Sequence, residues 1–134
     1  MILLDTSFLI AYEVDTDINH ENAVPLMERV VKNEFGMALI SDYIFDETVT
    51  VALNKTKDLN KAVLIGTTLR NSSITSKIND IDFEETWEIF KAQKNTKLSF
   101  TDCTSLAVMK RMNIRNIATF DQDFKKIKWI TVVS

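Results

Sequence analysis

The sequence predicts an α/β fold, a single domain over residues 1–134 built on a mainly parallel sheet of four to five strands. Three observations carry this. Short apolar runs of strand length alternate with longer segments of helical periodicity, the pattern of βαβ units. Only two Gly and one Pro occur, too few for the tight turns of an all-β protein. The 46% of hydrophobic residues is spread through the chain, and 134 residues suffice for one core.

The elements follow in order. Ile2–Leu4 reads as a short buried strand, and residues 7–14 as a helix with Thr6 or Ser7 near its cap. Residues 15–19 form a polar loop. Residues 21–33 have helical spacing, with Ala23, Leu26, Met27, Val30 and Val31 on one side. Pro25 is tolerable there only near the first turn. A second strand is expected at 37–40, then a helix at 42–54 capped by Ser41 or Asp42. A further helix spans 60–69, with Ala62, Val63, Ile65 and Leu69 apolar, and a strand is expected at 74–78. In the helix over 82–93, Phe83, Trp87 and Phe90 make an aromatic stripe expected to pack in the core. A helix opens at Ser99 and runs to Met112, followed by strands at 116–120 and 129–133.

Four carboxylates mark where these elements begin or end. Asp5 follows the first strand directly, where ligands bind in open parallel sheets, although Asp is also a good helix cap. Glu47 shares a helix face with Ile44 and Val51, so it is expected to be partly buried and in need of a partner or a metal. Asp46 points about 100° away, toward solvent. Ser99-Phe100-Thr101-Asp102 fits a capping box, and the helix N-terminus that Asp102 caps also stabilises its charge. Asp121 ends a strand and Asp123 stands one step into the loop, with Thr119 placed to hold a water or a phosphate oxygen. In one parallel sheet these acids converge at one edge. Clustered carboxylates repel, a hard divalent cation relieves the repulsion, and its natural substrate is a phosphate.

The formal net charge of -3 excludes a protein that grips nucleic acid by bulk charge alone. Basic residues do group, at Lys55, Lys57 and Lys61, at Lys91, Lys94 and Lys97, at Lys110, Arg111 and Arg115, and at Lys125, Lys126 and Lys128. They read as solvated helix faces, with one or two groups available to flank an acidic pocket. The lone Cys103 forms no internal disulfide and reads as a small buried helix residue. His20 reads as a packing or capping residue, so a metal-free mechanism resting on two histidines is not open to this chain. No apolar run approaches the ~20 residues of a membrane span, and no signal peptide is visible; a cytoplasmic location is expected.

Together these segments resemble the PIN-domain family, and most closely its small VapC-type toxin ribonucleases. The resemblance rests on residues 4–11 (LDTSFLIA), on 17–23 (DINHENA), on Glu47, on 98–111 with Leu98-Ser99-Phe100-Thr101-Asp102 at its head, and on 117–124 (IATFDQDF). It covers nearly the whole chain in order; residues 58–97 match only in length and helical character. It implies a three-layer α/β/α domain. It also implies a Mg²⁺ or Mn²⁺ site formed by Asp5, Glu47, Asp102 and Asp121, which are then both the catalytic and the metal residues. Thr6, Ser7, Thr119 and Asp123 are the expected substrate-binding residues. The family pattern further implies RNA cleavage leaving a 5′-phosphate and a 3′-hydroxyl, a cognate antitoxin protein and a homodimer. Ser7 stands where many members carry Asn, and its shorter side chain makes its bond to Asp5 the point to check. Two rivals are a haloacid-dehalogenase-like phosphotransferase, which lacks its second acid here because that position is Ser7, and a non-catalytic PIN-like module that binds RNA or protein.

Overall fold

The computed structural model describes residues 1–134, with the strands Ile2–Leu4 (β1), Ala38–Ser41 (β2), Ile74–Ser76 (β3), Asn116–Ala118 (β4) and Thr131–Val133 (β5). Between them lie the helices Thr6–Glu13 (α1), His20–Val31 (α2), Asp42–Thr56 (α3), Leu59–Ser72 (α4), Asp80–Lys91 (α5) and Phe100–Arg111 (α6), and a 3-10 helix covers Gln122–Lys126. All four strand pairings are parallel, in the order β3-β2-β1-β4-β5. The chain winds outward from β1 through β2 to β3, then returns across the sheet to β4. Right-handed crossovers therefore put α1–α4 on one face and α5 and α6 on the other, the three-layer arrangement expected. The reversal makes a crevice between the carboxyl ends of β1 and β4, where an open α/β sheet binds ligands.

The core is one cluster that includes all of β1, with Phe8, Ile40, Ile44, Val108, Met109, Ile117 and Phe124 fully buried. The central strand is apolar at every position because helices cover both its faces. Each helix around the crevice starts on a side-chain cap. Asp5 accepts from Ser7 N at the head of α1, Ser41 from Ile44 N at α3, and Ser99 from Asp102 N at α6. Lys57, in a left-handed conformation at φ 56°, ends α3.

Four expectations need correction. The aromatic stripe is not core: Phe83 and Trp87 are each 46% exposed and Phe90 37%. α5 instead buries Asp82 and Thr86, whose polar groups are satisfied by Arg111 and by the Asp82 carbonyl. Counting apolar residues as inward therefore chose the wrong face. Val31, expected on the apolar side of α2, is exposed, and so is Val63 among the apolar residues of α4. Pro25 sits in the second turn of α2 rather than the first, so the Glu21 carbonyl loses its intrahelical donor. Strand ends are also shorter than the apolar runs, because β3, β4 and β5 pair over only three residues each.

Candidate active site

The crevice brings together the four acids expected to meet. Asp5, Glu47, Asp102 and Asp121 line one open cleft of about 400 Å³, with Thr6, Ser7 and Ser99 beside them. Asp5 arrives from the end of β1, Glu47 from the second turn of α3, Asp102 from the first turn of α6 and Asp121 from the loop after β4.

Asp5 is the most deeply held. Its Oδ2 accepts from Ser7 N at 3.3 Å, from Ser7 Oγ at 2.6 Å and from Thr119 Oγ1 at 2.8 Å. With both hydroxyl protons given to Asp5, Ser7 Oγ accepts from Phe120 N at 3.0 Å and Thr119 Oγ1 from Asp121 N at 3.1 Å. The shorter Ser7 therefore does reach Asp5. It also ties α1 to the chain leaving β4. Burial raises the Asp5 pKa above the ordinary carboxylate value, opposed by the Ser7 and Thr119 donors.

Asp102 closes its capping box by accepting from Ser99 N at 2.8 Å. Its pKa is pushed up to about 7, chiefly by burial and then by the charge of Asp5, with Ser99 opposing. Glu47 is raised for the same first reason, burial; the Thr6 hydroxyl opposes and the Asp5 charge adds. Thr48 Oγ1 donates to Thr6 Oγ1 at 3.5 Å, which leaves the Thr6 proton free to face Glu47. Asp121 Oδ1 caps the 3-10 turn through Asp123 N at 2.9 Å. The capping role and the cleft position thus coincide in Asp5, Asp102 and Asp121: one oxygen serves the backbone and the other, Asp5 Oδ1, Asp102 Oδ1 or Asp121 Oδ2, carries no hydrogen bond of normal length.

The donor set is all carboxylate oxygen, which suits Mg²⁺ or Mn²⁺ and not a soft metal. No three of the acids converge on one point as a closed cage. They line a cleft as separate groups, and the charge of Asp5 adds to the burial that raises the pKa of Asp102 and of Glu47.

The four expected substrate residues divide. Thr6 and Ser7 line the cleft. Thr119, 1% exposed, has its hydroxyl taken up by Asp5, Ser7 and Asp121. Asp123 turns away from the cleft: it accepts from Lys126 Nζ at 2.6 Å and Lys97 N at 2.8 Å, and the Lys126 hydrogen bond holds its pKa below the usual range. Two further charged cleft residues, Asp17 and Lys55, pair at 3.4 Å, and Lys55 belongs to the first of the basic groups expected to flank an acidic pocket. The signal for Lys55 was available: Glu47, Val51 and Lys55 repeat every fourth residue on one helix face. Of the basic groups, only this lysine reaches the cleft. His20 bridges α2 to α1 through Nδ1 and the Ala11 carbonyl at 2.7 Å, and Cys103 is fully buried with its thiol pushed up to about 11 by burial.

Comparison with known proteins bears on this arrangement. The chain is 29% identical over 137 residues to the 23S rRNA-specific endonuclease VapC20 of Mycobacterium tuberculosis, covering 98% of each. It is 26% identical over 124 residues to a VapC ribonuclease of Archaeoglobus fulgidus, covering 91% of this chain and 78% of that one. The crystal structure of Mycobacterium tuberculosis VapC20, a sarcin-ricin loop cleaving toxin, superposes with a TM-score of 0.82 at 26% identity, over 97% of both chains. The fold is shared also with DNA-bound VapBC from Salmonella typhimurium, at a TM-score of 0.73 and 16% identity over 98% and 96% of the two chains. The PIN domain family model matches residues 2–130, nearly the full length, and the chain belongs to that family.

Proposed function

We propose that this chain is a single-domain, metal-dependent endoribonuclease, the toxin of a type II toxin–antitoxin pair, with RNA as its substrate. The observation that carries the reading is the meeting of Asp5, Glu47, Asp102 and Asp121 in one cleft at the β1/β4 crevice. The whole-length similarity to VapC ribonucleases supports it. A cognate antitoxin, a homodimer and a cytoplasmic location are part of the same proposal; no helix is long and apolar enough to cross a membrane.

Asp5, Asp102 and Asp121 are the residues that would hold Mg²⁺ or Mn²⁺, in part through water because no three of the acids meet at one point, with Glu47 joining directly or through water. Such an ion would supply a lowered pKa for the attacking water and a counter-charge for the phosphate. The chain's own residues do the rest. Thr119 and Ser7 hold Asp5 in one rotamer and, by donating to it, favour its ionised form. Glu47, raised in pKa and open to the cleft, orients the attacking water and accepts its proton. Ser7 and Thr6 border the path of the scissile phosphate. Thr119 and Asp123 act as positioning residues rather than substrate contacts.

The test is incubation of the purified chain with labelled structured RNA, ribosomal RNA first, in Mg²⁺, Mn²⁺ or EDTA, beside Asp5→Asn. Cleavage that requires both the ion and Asp5, leaving 5′-phosphate ends, is the expected result. RNA binding without any cleavage or metal binding would favour a non-catalytic module instead.

A further inference from the structure

One basic side chain stands among the acids of the cleft. Lys55 lines it together with Asp5, Asp17, Glu47, Asp102 and Asp121, and no other Lys or Arg does. The residue lies in the last turn of α3, so its stem starts about 12 Å along the helix axis from that of Glu47. Its partner is Asp17, at 3.4 Å. Every other ion pair in the molecule is 2.8 Å or shorter, so this is the loosest of them. The two partners are also unequally held. Asp17 Oδ1 accepts from Asn19 N at 2.9 Å, and its side chain is 11% exposed. Its carbonyl accepts from His20 N at 3.0 Å, and its own N–H donates to the Val14 carbonyl at 2.9 Å. Lys55 is 51% exposed, and its ammonium makes no other hydrogen bond. A fixed carboxylate thus holds a free-swinging cation at the edge of an acidic cleft.

We infer that Lys55 is a substrate-binding residue, which leaves Asp17 for the phosphate flanking the scissile one as RNA enters the cleft. The inference rests on the nuclease reading above and adds to it the group that grips the strand beside the reacting bond. A divalent ion among the four acids has charge for one phosphate. The next phosphate along the strand meets carboxylates, which repel it, unless a cation is supplied. A chain of net charge -3 offers no bulk positive field in its place. Lys57 and Lys61, the other members of this basic group, do not line the cleft. An ammonium on a flexible four-carbon stem turns from a carboxylate to a phosphate without the fixed fork geometry that an Arg requires. The exchange costs little, because exposed ion pairs are weak. Without RNA, Asp17 keeps the ammonium at the cleft edge and away from the acids that would hold the metal.

The experiment titrates labelled ribosomal RNA with the Asp5→Asn chain, so that RNA is bound and not cut, over a series of KCl concentrations. Adding Lys55→Gln should weaken binding by about 2- to 12-fold, the range for one net hydrogen bond. The slope of log affinity against log salt should become shallower by roughly 0.7–0.9, the share of one phosphate contact. Lys55→Arg should keep both affinity and slope. Lys57→Gln, at an exposed lysine outside the cleft, should leave the slope in place. The exchange adds a sign of its own. Lys55→Gln should cost more affinity in the Asp17→Asn background, where the lysine has no carboxylate to leave. An amide oxygen at that position still accepts from Asn19 N, so the turn persists. In the chain with Asp5 intact, Lys55→Gln should raise KM and leave kcat nearly unchanged, since a flanking phosphate is held alike before and during the reaction. An unaltered salt slope in Lys55→Gln overturns the assignment, as does an equal loss of slope in Lys57→Gln. Equal costs of Lys55→Gln with and without Asp17→Asn overturn the exchange. Cleavage by the chain with Asp5 intact reports on the nuclease reading separately: absence of metal-dependent cleavage sinks that reading, whereas cleavage with an unaltered slope in Lys55→Gln sinks the lysine's role alone.

Discussion

Thr119 Oγ1 donates to Asp5 Oδ2 at 2.8 Å, joining the ends of two neighbouring strands across 114 residues of chain. The same hydroxyl accepts from Asp121 N, so it orders two of the four cleft acids at once. Replacing Thr119 with Val keeps the volume and removes both bonds. The expected cost is about 1–3 kcal/mol of stability, from a buried carboxylate and an amide left short of a partner. The pH profile of cleavage should also move upward, because losing a donor to the ionised form raises the Asp5 pKa further. Thr119→Ser should restore both. Denaturant melts and a pH–rate series check it.

Asp5→Asn should abolish cleavage, by at least the roughly 10²-fold typical of losing one group that stabilises transition-state charge. The amide oxygen can still accept from Ser7 and Thr119, so the fold should persist. Without metal near neutral pH the variant should be more stable than the parent, by about 0.5–2 kcal/mol, since a buried charge is gone. Full activity in this variant would remove Asp5 from the site.

Acidity links the site to stability. Asp5, Glu47 and Asp102 all have raised pKa values, Asp102 to about 7. Between the ordinary carboxylate range and about 7 the folded, metal-free chain thus holds more protons than the unfolded one. Stability from these groups is full below the unfolded values and is lost as pH rises through the folded ones. Thermal melts in EDTA should give a higher Tm at pH 5 than at pH 7.5. Mg²⁺ should narrow the difference, because it binds the ionised acids, and its affinity should fall as pH drops below 7. Asp102→Asn should flatten the slope in EDTA.

Arg111 holds Asp82 by two hydrogen bonds, at 2.7 and 2.9 Å, and the Asp82 side chain is 2% exposed. Arg111→Ala leaves that carboxylate buried without its cation and should cost about 3 kcal/mol, the lower end for a broken buried pair because Arg111 itself is part-exposed. Adding Asp82→Ala should recover part of the loss; chemical denaturation of the single and double variants measures it.

The corrected position of the aromatic stripe changes a stability expectation as well. Trp87→Ala should cost no more than about 1 kcal/mol, as for surface positions. Phe8→Ala, at a fully buried ring, should cost about 3–5 kcal/mol. Comparable losses at both positions would show that Trp87 is covered in solution.

The strand–helix alternation was legible because it depends on local periodicity, and the positions of Asp5, Glu47, Asp102 and Asp121 were legible because each sits at an element boundary or on a patterned face. What escaped was set by partners distant in sequence. Nothing local marks Asp82, the first residue of the expected helix, as interior; Arg111, 29 positions later, pairs with it and holds that side of α5 inward. Asp123 reads as a cleft acid until Lys126 and Lys97 N claim it. Thr119 reads as a ligand-facing hydroxyl until the sheet register sets it against Asp5.

The position of β1 has a consequence for synthesis. β1 precedes the other four strands in the chain yet lies in the middle of the sheet, flanked by β2 and by the much later β4. A growing chain has β1, β2 and β3 in hand long before the side of β1 that shapes the cleft is covered. Asp5 and Glu47 are already present, yet the residues that order and complete their neighbourhood, from Ser99 to Asp121, come only after β3 and α5. The cleft therefore gains its four acids only once β4 has docked on the free edge of β1, an event late in the order of the chain.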